Sequence, residues 1–105
     1  MSTGSVRIRS RLTNNKTHLD LLLSHPMEAG SRMDKKNNAI PAWYLTEVDI
    51  LRNDEAVTSI QVGLVMSRNP AISVVLQGGT EGDVIGVRWH DSRGKSGESR
   101  VKLSL

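Results

Sequence analysis

The chain has no cysteine and no phenylalanine, and three aromatic residues in all among its 105: Trp43, Tyr44 and Trp89. Without thiols it has no disulfide, no thiolate nucleophile and no blue-copper centre. Without phenylalanine, the core must come from Val, Ile and Leu, within a hydrophobic share of 37%. No apolar run approaches the length a bilayer requires, so no membrane span is expected. Strong charge is also missing. Fourteen basic against 11 acidic residues leave +3, too little for the clustered basic face of a nucleic-acid binder or for an anionic membrane surface. The opening MSTGSVRIRS lacks the apolar segment of a signal peptide, so none is expected.

Helical signals are scarce: no window keeps a 3.6-residue period between caps. Period-two alternation recurs instead. Val6, Ile8, Ser10 and Leu12 alternate with Arg7, Arg9 and Arg11 before a turn at Asn14–Lys16. A second strand is expected over His18–Ser24, and a third over Trp43–Arg52 with Tyr44, Val48 and Ile50 on one face. Asn53–Glu55 reads as a turn into a strand over Ala56–Val62, and SRNP at Ser67–Pro70 as another turn. Ile72, Val74 and Leu76 then alternate, as do Ile85, Val87 and Trp89; Val101, Leu103 and Leu105 close the chain. About seven short strands, with turn formers between them, predict an all-β fold: an immunoglobulin-like antiparallel β-sandwich forming a single domain over 1–105.

The connection from His25 to Pro41 is long for a compact domain, and such loops are usually functional or disordered. Its centre, DKKNN, is polar enough to suggest mobility. Its start, SHPMEAG (Ser24–Gly30), reads as a shaped corner. Pro26 ends the strand ladder and restricts His25, Gly30 supplies a turn, and Met27 is expected to project.

Three chemistries compete for this corner. His25, Met27 and Met33 are soft donors, so one reading is a periplasmic copper-binding module using that trio; no zinc spacing links the histidines. Catalysis finds little support. Ser24 and His25 are neighbours on an extended chain and point to opposite faces. The carboxylates Asp20, Glu28, Glu47 and Asp49 show no partner in sequence. GGTEGD (Gly78–Asp83) sits between strands, where a turn explains its glycines. The third reading is a protein interface, to which methionine is well suited; against it stands Met27 simply folding over the end of the core. The arginines of the first strand form either a solvated edge face or a contact for an acidic partner. Trp89 is expected in the core, and Asp91 bonded to its own loop.

With LLSHPMEAG (Leu22–Gly30) on the page, the chain resembles SoxZ, one subunit of the SoxYZ sulfur-carrier complex of bacterial thiosulfate oxidation. The resemblance spans nearly the whole chain: a short basic first strand, the corner, Ile40–Pro41, Asn69–Pro70, and Trp89 with Asp91 before a glycine hairpin. After Asn69–Pro70 the family tends to an aromatic-rich strand, where this chain reads AISVVLQGG. The resemblance implies an immunoglobulin-type sandwich that is not an enzyme and holds no cofactor or metal. It implies a heterodimer with a SoxY-type subunit, whose C-terminal cysteine carries the sulfur intermediates, and transient contact with the sulfur-oxidation enzymes. It also implies a periplasmic location, reached by co-export with a partner that bears a twin-arginine signal. The contact region carried over is the corner: His25, Pro26, Met27, Glu28, Gly30 and Arg32.

Overall fold

The computed structural model of the chain describes residues 5–62 and 68–104. Seven strands follow in order: β1 (Val6–Thr13), β2 (Lys16–Leu23), β3 (Leu45–Arg52), β4 (Glu55–Gln61), β5 (Ala71–Gln77), β6 (Val84–Asp91) and β7 (Ser96–Lys102). They form two antiparallel sheets, β1-β2-β5 and β4-β3-β6-β7. This is the expected β-sandwich. The fourth strand joins the sheet of β3, which makes the layers three and four strands wide.

Local chemistry sets the hairpins. Asn14 and Asn15 both have positive φ (48° and 60°), as do Asn53 and Asp54 (50° and 67°). Each pair forms a two-residue loop whose twist matches its strands, Thr13 facing Lys16 and Arg52 facing Glu55. Asn and Asp tolerate the left-handed conformation better than other side chains.

The core lies between the layers. Leu19, Leu21 and Leu23 of β2 meet Val48 and Ile50 of β3 and Ile85, Val87 and Trp89 of β6, with Leu45, Val62 and Leu103 at the ends. All alternate with outward residues, as a sheet with one dry face requires. One expectation is corrected. Tyr44 does not share the inward face with Val48 and Ile50; Leu45 does, 1% exposed. The register between β3 and β6 slips between Leu45 and Glu47. The extra residue, Thr46, is a bulge that reverses the parity of everything before it. Leu105 and Ser67 lie outside the described residues.

Trp89 needs space that its neighbour supplies. Gly97 is its cross-strand partner, and a Cβ there would lie 2.6 Å from the indole Nε1. Glycine therefore lets the ring lie over the β7 backbone. Gly97→Ala is expected to push Trp89 from its place and to cost about 1–3 kcal/mol. Urea denaturation followed by tryptophan fluorescence checks this; an unchanged midpoint and emission maximum would count against it.

Candidate functional site

The corner begins where β2 runs out. Leu23 N still donates to Pro70 O at 3.0 Å and Ser24 N to Ser5 O at 2.9 Å. Asn69 then clamps His25 from both sides: its Oδ1 accepts from His25 N at 2.9 Å, and its own N donates to His25 O at 2.8 Å. The Asn69–Pro70 turn and the His25–Pro26 step thus fold against each other.

His25 points inward and is 1% exposed. Its Nδ1 accepts from Met27 N at 3.2 Å, so Nε2 carries the proton of the neutral ring. Nε2 lies 3.7 Å from Asp91 Oδ2 and, among the described residues, has no hydrogen-bond partner. That carboxylate is already engaged. Oδ2 accepts from Trp43 Nε1 at 2.8 Å, and Oδ1 from Arg93 N and Lys95 N at 2.9 Å each. The Trp43 ring lies edge-on to His25 at 5.2 Å, and the Arg93 guanidinium covers it at 4.4 Å.

Burial pushes the His25 imidazole below its ordinary value, more than the Asp91 charge can raise it. Burial also pushes Asp91 up, but the donors Trp43, Lys95 and Arg93 prevail and hold it below the usual carboxylate range. The result is a neutral imidazole over an ionised, fully engaged carboxylate.

Met27 takes a positive φ of 52°, a strained choice for a non-glycine residue. Its side chain does not project as expected. It packs against the core, and Sδ accepts from Leu45 N at 3.4 Å. The next residue, Glu28, forms a two-way backbone bridge with Trp43: N to O at 2.7 Å and N to O in return at 2.8 Å. The Glu28 carboxylate holds both arms of the Arg32 guanidinium, and this hydrogen bonding lowers its pKa. The two charges therefore spend themselves on each other. Gly30 has φ +87°, and a Cβ there would come within 3.2 Å of Ala42 Cβ; the turn and the close approach both call for glycine.

Beyond Gly30 the loop folds back on itself. Met33 bridges Ala39, and Asp34 Oδ1 accepts from Lys36 N and Asn38 N at 2.9 Å each. Within DKKNN, Asp34 anchors a turn.

Pro26, Met27, Glu28, Ala29, Ser31 and Arg32, with Arg68, line one shallow concavity at this end of the sandwich. The structure thus brings four of the six expected contact residues, Pro26, Met27, Glu28 and Arg32, together around one surface; Gly30 shapes the turn beside it, and His25 is buried. The soft donors are not convergent. His25 Nδ1 and Met27 Sδ are used by backbone amides inside the corner, and Met33 is 59% exposed on the outer turn.

Sequence reasoning placed Asp91 in its loop but missed its link to His25 and Trp43. A signal was present: Asp91 continues the inward parity of Ile85, Val87 and Trp89, so its carboxylate had to face the interior and find donors there.

The family described as sulphur oxidation protein SoxZ matches residues 6–102. The chain belongs to the SoxZ family. Residues 6–102 take in all seven strands and the whole corner, so this SoxZ sandwich is matched as a unit. No curated protein matches the chain. Membership ties this SoxZ chain to the sulfur oxidation system.

Two outcomes are expected from the buried pair. Asp91→Ala would leave the Trp43 indole and two backbone amides without an acceptor, at a cost of about 3 kcal/mol or more; denaturant unfolding measures it. The second concerns pH. Unfolded, His25 titrates near about 6.5; folded, its value is lower. Below about 6.5 the unfolded chain takes up the proton first, so stability falls as pH drops through that window and is complete above it. The denaturation midpoint should decline from about pH 7 toward pH 5, with a shallower slope in His25→Gln. A wild-type profile flat across that range would contradict the assignment.

Proposed function

We propose that this SoxZ-family chain is the non-catalytic scaffold subunit of a sulfur-carrier heterodimer. Its partner is a SoxY-type protein whose C-terminal cysteine holds the sulfur intermediates while the oxidation enzymes act on them in turn. The heterodimer works in the periplasm, and this chain is exported with a partner that carries a twin-arginine signal.

The observation that carries this reading is the family match across residues 6–102. The corner supplies a means. Backbone bridges, the Asn69 clamp and the buried Asp91 hold it in one shape before any partner arrives, so little conformational entropy remains to be lost on association. Pro26, Met27 and Ala29 give its concavity an apolar floor, and the mutually neutralised Glu28–Arg32 pair gives it a polar rim. Arg68 adds a positive charge at the same surface, and an apolar patch with a charged rim suits a protein partner. The absence of cysteine fits as well: a thiol here would compete for sulfur bound to the partner's arm.

Co-expression with a SoxY-type chain, followed by gel filtration, tests the pairing. Coelution as a one-to-one complex is expected, and separate elution at micromolar concentration would overturn it. Ala29→Arg fills the concavity without touching the core. It is expected to weaken the complex by at least about tenfold, near 1.4 kcal/mol, with unfolding unchanged. Full affinity in that variant would move the interface elsewhere on the chain.

A further inference from the structure

The outward face of the four-stranded sheet carries a cluster that the corner does not use. Glu47 and Asp49 stand two apart on β3, so both project to the same side. His90 of β6 is the cross-strand partner of Glu47 and the diagonal neighbour of Asp49. His90 Nε2 lies 3.1 Å from Asp49 Oδ2 and 3.9 Å from Glu47 Oε2. One donor atom from each of the three falls within 4.8 Å of the others.

The next strand orients both acids. Ser59 and Gln61 of β4 are the partners of Asp49 and Glu47 in the ladder. Ser59 Oγ donates to Asp49 Oδ1 at 2.8 Å, and Gln61 Nε2 donates to Glu47 Oε1 at 3.1 Å. Each carboxylate thus has one oxygen fixed by β4 and the other turned toward His90. This is the outer support that metal-binding carboxylates receive.

Two carboxylates that face a single imidazole keep an excess of negative charge whichever form the ring takes. Two carboxylates side by side repel. Arg88 is the cross-strand partner of Asp49, yet its Nε and a terminal nitrogen both donate to Glu98, at 3.2 and 3.0 Å. The side chains of His90, Glu47 and Asp49 are 39%, 36% and 18% exposed, so an ion can enter from solvent and keep water on its open side.

We propose that Glu47, Asp49 and His90 form a surface binding site for a zinc-like divalent cation, through one imidazole nitrogen and two carboxylate oxygens. The donor set selects the ion. Calcium and magnesium prefer shells of oxygen alone, and copper(I) prefers sulfur. One nitrogen with two oxygens, and room for water, suits zinc.

Titration of the purified chain with zinc chloride near pH 7.5, followed by calorimetry, tests the site. One saturable site is expected. His90→Ala and Asp49→Asn should each weaken it at least tenfold, Ser59→Ala by about tenfold through the lost orienting bond, and His18→Ala not at all. In the wild-type chain, NMR should show the His90 imidazole resonances shifting with zinc, which keeps the test independent of any variant's folding. Absence of saturable binding, full binding in His90→Ala, or a shift confined to His18 would overturn the proposal.

Discussion

The Asp91 carboxylate is the point on which one end of this molecule depends. It is buried and charged, a state tolerated only when each oxygen has donors. Those donors come from separate parts of the chain. The Trp43 indole fixes the return of the long loop, the amides of Arg93 and Lys95 fix the β6–β7 turn, and His25 packs against both. One carboxylate thereby joins the end of β2, the start of β3 and the end of β6. Were it neutral or absent, three connections would lose a common anchor at once.

That anchor explains how the corner can be strained and still well defined. Met27 at positive φ and an imidazole Nε2 without a hydrogen-bond partner among the described residues each carry an energetic cost. Such costs persist only where surrounding structure over-determines the conformation. Here the two-way Glu28–Trp43 bridge and the Asn69 clamp do so. The corner is consequently stiff, which is the property a docking surface for a second subunit requires.

The two outer faces of the sandwich are organised differently. On the four-stranded sheet, acids, hydroxyls and amides are matched row by row across the ladder, and Arg88, Glu98, Arg100 and Asp54 extend the pattern. On the three-stranded sheet, Arg7, Arg9 and Arg11 line edge strand β1 with no ion pair among the described residues. Such a row also keeps the edge from pairing with stray strands. The corner concavity lies apart from both faces, at one end of these layers.

Alternation alone made the seven strands legible, because burial of one sheet face forces a period of two. The turns were legible too, since Asn-Asn and Asn-Asp are pairs that accept left-handed angles. The boundaries of β3 were not: a bulge at Thr46 depends on how β3 meets β6, and no local residue announces it. Nor did the corner's composition reveal the direction of Met27. A methionine beside Pro26 and Gly30 can point either way, and the free position near Leu45 N decided the matter. The sequence by itself determined a cysteine-free β-sandwich with a shaped His-Pro corner, because those features follow from local sterics and side-chain periodicity. Only tertiary structure decided that His25, Trp43 and Asp91 meet, and that Glu47, Asp49 and His90 converge. Those contacts span as many as 66 residues of chain, from His25 to Asp91, and arise from strand register, which packing sets.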